Sequence, residues 1–183
     1  TQATATNQPE IRSGQIIGKP NLNVLVFDGN QSLSFPTIAQ GRTFFWVLQR
    51  HAQGNKNAHY FGQKDSTLWY QNTQSGGYKI STNSSHVGTQ IKNGSWRNNG
   101  IVNDMHFYDD SRVLSLTATG MTSSNIIGKR GDTNQYYIGN ISEILVYDRA
   151  LSETEIETVE KYLGHKWGIS ISHDTTPSPS GNP

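Results

Sequence analysis

No cysteine occurs in the 183 residues, which excludes disulfides, thiolate metal sites and cysteine nucleophiles. Charge is sparse: 15 Lys and Arg stand against 14 Asp and Glu, a net charge of +1, and no basic cluster is denser than Lys129-Arg130. A phosphate backbone needs several neutralising contacts, so nucleic acid is not an expected partner. No apolar run approaches the roughly 20 residues of a membrane-spanning helix, and membrane insertion is not expected either. With two methionines and only 33% hydrophobic residues, the chain lacks the long straight-chain residues of a helical bundle.

Hydroxyls and amides are abundant instead. Serine, threonine, asparagine and glutamine make up 64 of the 183 residues, and there are 18 glycines. Four Trp, eight Tyr and six Phe supply large units of buried area, enough to set the chain apart from disordered sequences. The length suits one domain and a tail. The expected class is all-β. A low-charge, hydroxyl-rich, cysteine-free chain is expected to be extracellular or at a bacterial cell surface.

Short apolar runs alternate with turn residues. Residues 22–27 end at Asp28-Gly29-Asn30, which reads as a hairpin turn with residues 32–35 returning. Residues 43–48 are apolar on both faces, as in a central strand covered on both sides. Residues 58–61, 68–70, 78–80 and 105–108 are shorter runs. In residues 112–119, Leu114, Leu116 and Ala118 share one face while Ser115, Thr117 and Thr119 share the other. Residues 126–127, 136–138 and 141–147 complete about ten strands, the spacing of a sandwich or barrel.

One helix is expected. Ser152 with Glu155 three residues on forms a capping box, and Leu151 with Ile156 forms a hydrophobic staple. Ile156, Val159 and Leu163 make one apolar stripe with Trp167 near its end, while Glu153, Glu157, Glu160 and Lys161 are assigned to water. Gly168 is the expected stop, and the helix is expected to cap a sheet edge or an open sandwich end. Residues 173–183, rich in proline and serine, read as a linker to a following domain, leaving 1–172 as the domain.

The run GNISEILVYDRALS at 139–152, with the helix after it to Ile169, resembles the C-terminal signature of bacterial laminin-G-like domains. These belong to the concanavalin A-like lectin and glucanase superfamily. The opening is similar too: ATNQP at 5–9, Gly18-Lys19-Pro20, then VFDG at 26–29. The resemblance covers residues 5 to 169, with its specific motifs at the two ends. It implies a jelly-roll sandwich with one C-terminal α-helix. Such domains usually begin with a further strand, absent here, so a sheet position beside the last strand is expected to be unfilled or to be filled in an unusual way.

Glucanases of this superfamily set two carboxylates about 5–5.5 Å apart on one strand, and this chain has no such run. The expected function is therefore non-catalytic: a carbohydrate-binding or adhesion module of a larger secreted or surface-anchored bacterial protein, such as an adhesin. Its expected partners are glycans or cell-surface polysaccharide and neighbouring domains of the same chain. A structural spacer or platform without a ligand is the alternative, and a polysaccharide-active enzyme the third reading. Sugar stacking needs an apolar ring with amides and hydroxyls at its edge, which selects Trp69, Tyr78, Trp96, Asn98 and His106. Trp96 lies in a polar stretch that reads as a loop, whereas Trp46 and Trp167 read as core. The six histidines show no metal-ligand spacing. Calcium would find loop oxygens at Asp28 with Asn30 and at Asp132 with Asn134, although Asp28-Gly29-Asn30 serves equally well as a plain turn. Glu143 is expected on the face of Ile141, Leu145 and Tyr147 as a structural carboxylate, with Arg149 or loop amides as its first partners.

Overall fold

The computed structural model describes residues 4–16, 19–51, 59–63, 71–72, 78–80, 87–104, 106–107, 109–129 and 134–173. Its strands are β1 (Glu10–Ser13), β2 (Asn23–Asp28), β3 (Leu33–Arg50), β4 (Phe61–Gly62), β5 (Gln71–Asn72), β6 (Tyr78–Ile80), β7 (Ser95–Asn98), β8 (Ile101–Val102), β9 (His106–Phe107), β10 (Arg112–Ile127) and β11 (Ile138–Tyr147). A short helix α1 (Thr89–Lys92) precedes β7, and the long helix α2 (Glu153–Trp167) follows β11. The larger sheet runs β1-β2-β11-β3-β10-β7-β8 with β4 also paired to β10, and β5-β6-β9 form a smaller sheet. All named pairings are antiparallel. The fold is all-β with one long C-terminal helix. Among the described residues no helix is long and apolar enough to cross a membrane.

Strand β3 sits centrally, as its two-sided apolar pattern requires. Phe44, Trp46 and Leu48 enter one core with Leu114, Leu116, Trp96 and Phe27. The alternate residues Phe45 and Val47 enter a second core with Val113, Val24 and Val26. The first core has a second layer made by the same strands. Phe35 stacks on Phe61 at 5.9 Å, and Phe61 meets Phe44 at 6.1 Å. Nine residues of straight strand would separate Phe35 from Phe44 by about 30 Å, so the β3–β10 ribbon bends back over the sheet. The bend coincides with register shifts after Thr117, Thr122 and Ser124. It also coincides with Gly41, where a Cβ would lie 2.4 Å from the Phe44 ring.

The second core lies under α2. Leu151, Ile156, Leu163 and Trp167 pack on Phe45, Val47 and Val113. The helix therefore covers a sheet face, not the edge or sandwich end expected from its terminal position; its apolar stripe matches the flat row of residues that β3 and β10 turn outward. Its start is the expected capping box: the Ser152 hydroxyl accepts from the Glu155 N–H, and Glu155 Oε2 accepts from the Ser152 N–H at 2.8 Å. Gly168 ends it in the left-handed region at φ 71°, its N–H bonded to the Gly164 carbonyl.

Three local expectations are corrected. The turn after β2 makes no hairpin with β3, because β11 lies between them; the Asp28 N–H is instead satisfied by Gln31 Oε1 at 2.6 Å. Glu143 does not share a face with Ile141. The ladder pairs Ile141 with Leu48 but Glu143 with Val47, so Ser142 is an extra residue and the bulge reverses the alternation. Glu143 thereby reaches Lys166 Nζ at 3.0 Å and Trp167 Nε1 at 2.5 Å, while Arg149 pairs with Glu155. Hydrogen bonding to Glu143 raises the Lys166 pKa above its ordinary value.

Glu160 is the third correction. Assigned to water by helical spacing, it is fully buried. Ser115 Oγ donates to its Oε1 at 2.6 Å, His173 Nε2 lies 2.9 Å from Oε2, and Arg97 Nη1 lies 4.0 Å away while also pairing with Glu153. The strand face assigned to Ser115 supplies its partner. His173, expected to start the linker, is part of the packed domain, and residues 174–183 lie outside the described residues.

The ladder beside β11 is incomplete. Strand β2 pairs with it only from Ile138 to Ile141, while β3 follows it to Tyr147. From Ser142 to Tyr147 the outer side of β11 has no strand neighbour among the described residues. Among the described residues, the sheet position beside the second half of the last strand is unfilled.

Candidate functional site

The residues selected for sugar stacking do not form one described site. Trp96 belongs to β7 rather than a loop, is 2% exposed, stacks on Trp46 at 5.9 Å and donates its Nε1–H to the Ile91 carbonyl at 3.1 Å. Its polar sequence neighbours misled because Arg97 and Asn98 are buried with it. Asn98 lies on the same face of β7 as Trp96 and is fully buried. These two side chains are core, which corrects the expectation of an exposed platform. Tyr78 and His106 fall on the adjacent strands β6 and β9, where Tyr78 pairs with Phe107 and Lys79 with His106; only their backbone is described. Trp69 lies outside the described residues.

For calcium, Asp28 ends β2 opposite Ile138, Asn30 follows in the turn, and Asn134 is exposed before β11. Asp132 lies outside the described residues. Among the described residues no three His, Asp or Glu side chains gather as a metal set. A calcium ion takes six to eight oxygens, more than Asp28, Asn30 and Asn134 supply by themselves.

A different place gathers polar groups. Where β3 and β7 end, β10 begins and α2 stops, a cleft of about 590 Å³ opens. Gln49, Asn99, Asp109, Asp110, Arg112 and Ser172 are among its lining residues, with Ile101 at its side. Local bonding fixes these groups. Gln49 donates through Nε2 to the Asp109 carbonyl at 2.6 Å and accepts at Oε1 from Asn140 Nδ2 at 3.2 Å. Asn99, at φ 49°, accepts the Val113 N–H at Oδ1 at 2.8 Å and donates its own N–H to the Val113 carbonyl. Asparagine tolerates this left-handed backbone better than most residues. The Ser172 N–H donates to the Asn99 carbonyl, which pins the segment after α2 against the cleft.

Two carboxylates border the space. Asp110 is clamped by Arg112, with Nε on Oδ1 and Nη2 on Oδ2, both at 2.8 Å. Asp109 is exposed and directs its backbone carbonyl, not its carboxylate, to Gln49. The C-terminal end of α2, with Trp167 and Gly168 in the lining, adds the negative pole of the helix dipole. The cleft therefore favours hydrogen-bond donors over anions. Ile101, 48% exposed, supplies an apolar contact beside the polar groups. Amide and carboxylate acceptors next to an apolar side chain suit a ligand rich in hydroxyls.

These residues escaped the sequence reading. In the sequence, Asp109 and Asp110 merely follow the short run at 105–108, and Gln49 lies just past the apolar run at 43–48. Only the meeting of four element ends makes them neighbours. No family model, curated protein or solved structure matches the chain.

Proposed function

We propose that this chain is a non-catalytic binding module, of a jelly-roll type akin to bacterial laminin-G-like domains, that holds glycan hydroxyls in the cleft at the end of α2. The observation that carries the reading is the convergence of Gln49, Asn99, Asp109 and Asp110 beside Ile101 in one 590 Å³ cleft. Hydroxyl donors would bond to Asp109 and the amides, and a sugar's C–H face would rest on Ile101. Catalysis by two carboxylates finds little support there, because Asp110 has both oxygens engaged by Arg112 and Asp109 has no second free carboxylate beside it among the lining residues. The low-charge, hydroxyl-rich composition supports an extracellular or surface setting within a larger bacterial protein.

A glycan array followed by NMR titration tests this. Binding to at least one neutral glycan is expected, with shifts at Asn99, Asp109 and Ser172. Asp109→Ala should abolish binding and leave the circular dichroism spectrum unchanged. A blank array from folded protein removes the reading, and release of reducing ends from a bound polysaccharide would replace it with an enzyme. The alternative, a structural platform, is favoured by the open ladder beside β11.

A further inference from the structure

The cleft at the end of α2 is uneven in charge. Its described lining holds three charged side chains, Asp109, Asp110 and Arg112. Two of them cancel, because Arg112 Nε lies on Asp110 Oδ1 and Nη2 on Oδ2, both at 2.8 Å. Asp109 is left over. Its backbone carbonyl takes the Gln49 amide, and its exposed carboxylate has no partner among the described residues. Lys19, a cation at the same end of α2, is bonded to the His165 carbonyl at 3.2 Å and is not among the described lining residues. The lining therefore carries one uncompensated negative charge.

A second observation concerns a donor. Asn99 lines the cleft and is only 9% exposed. Its Oδ1 accepts the Val113 N–H at 2.8 Å, which fixes the amide plane, yet its Nδ2 has no partner among the described residues and is not sealed from solvent. Side-chain amides this buried are normally bonded on both sides. Gln49 beside it is an example, with Nε2 on the Asp109 carbonyl and Oε1 on Asn140. The Asn99 Nδ2–H is thus held in place and offered to whatever fills the cleft.

A complementary ligand brings a positive group to Asp109, an oxygen acceptor to Asn99 Nδ2 and a C–H face to Ile101. A hexosamine in its ammonium form has all three. A neutral hexose lacks the first, and a uronate reverses its sign. Arg112 does not compensate a uronate, since the sugar would have to break the two-bond Asp110 pair to form an equivalent one. We infer that the cleft selects sugars by charge, taking amine-bearing sugars ahead of neutral ones and rejecting uronic acids. The inference rests on the glycan reading above and adds to it the class of sugar.

NMR titration of the full chain with glucosamine hydrochloride, glucose and glucuronate, and with the matching galacto set, separates the charge of the sugar from its ring. At about pH 6, below the usual range of a primary amine, the Asn99 and Asp109 signals should report the tightest binding from glucosamine and the weakest from glucuronate. An ion pair at an exposed carboxylate gives glucosamine an advantage of about fivefold over glucose. Added salt should shrink that advantage. Asp109→Asn, an isosteric change at an exposed position, should erase it. Equal binding of glucosamine and glucose, a preference unmoved by Asp109→Asn, or tighter binding of the uronates would each overturn the inference and leave the glycan reading standing. Equal shifts from methylammonium chloride, which carries the charge without a ring, would overturn it too. If no monosaccharide moves the cleft signals, a glucosamine pentamer against its N-acetylated counterpart makes the same comparison. Silence from both pentamers overturns the inference, and a blank glycan array as well removes the reading beneath it.

Discussion

The two faces of the large sheet are held by different physics. On one, Phe27, Phe44, Trp46, Trp96, Leu114 and Leu116 form a core dominated by ring contacts, with Trp46 touching Tyr60, Phe61 and Trp96 at 5.5–5.9 Å. On the other, Phe45, Val47 and Val113 are covered by a helix seated through charged groups: buried Glu160 on Ser115, Arg97 and His173, and half-buried Glu143 on Lys166 and Trp167. Apolar packing is non-directional and sums over area, so the first face is set by volume. Buried ions are directional and costly when unpartnered, so the second face is set by geometry. The difference shows why one side was visible as a pattern and the other was not.

The widest expected break lies on the apolar face. Trp46→Ala should cost about 3–5 kcal/mol, the usual penalty for emptying a large buried aromatic site, read from urea unfolding. The helix face should respond differently to single and double changes. Arg97→Met strands Glu160 without its nearby cation and should destabilise by about 3 kcal/mol, whereas Arg97→Met with Glu160→Leu should recover most of that loss. Equal losses in the single and double variants would mean that the second face, like the first, is governed by packing alone.

Smaller effects separate the helix's own stability from its docking. Ser152→Ala removes one half of the capping box and should cost about 1 kcal/mol in a thermal or denaturant melt. The smallest effect concerns Glu155. Hydrogen bonding to Arg149, then to the Ser152 N–H and hydroxyl, lowers its pKa from 4.5 to about 2. Since the folded value lies below the unfolded one, its contribution is complete above about pH 4.5 and fades as the pH falls towards 2. Glu155→Gln should flatten that limb of a Tm against pH curve. A limb unchanged by the substitution would trace acid sensitivity to other carboxylates.

Much of the fold was legible because it is local. The two-sided run at 43–48, the alternation from Leu114 to Ala118, and the Ser152–Glu155 box each reflect backbone period or a three-residue reach. The errors share a cause as well. Helical spacing put Glu160 on the polar side, but the stripe of Ile156 and Leu163 did not reveal that Ser115, Arg97 and His173 would enclose it. Strict alternation put Glu143 beside Ile141, and one inserted residue at Ser142 reversed it. Polar neighbours put Trp96 in a loop, although Arg97 points to Glu153 while Trp96 turns to Trp46 from the other face of the same strand.

The candidate cleft was the least legible part. Gln49, Asn99, Asp109 and Ser172 are widely separated in the chain, and each has an ordinary local role: strand end, turn, turn and tail. The amino-acid order alone determined an all-β chain with one capped helix, because strand and helix periods follow from backbone geometry within a few residues. Tertiary structure decided which charges are buried and which polar ends share a cleft. Those outcomes depend on partners brought from distant elements, and a carboxylate's environment is fixed by what packs against it rather than by its neighbours in sequence.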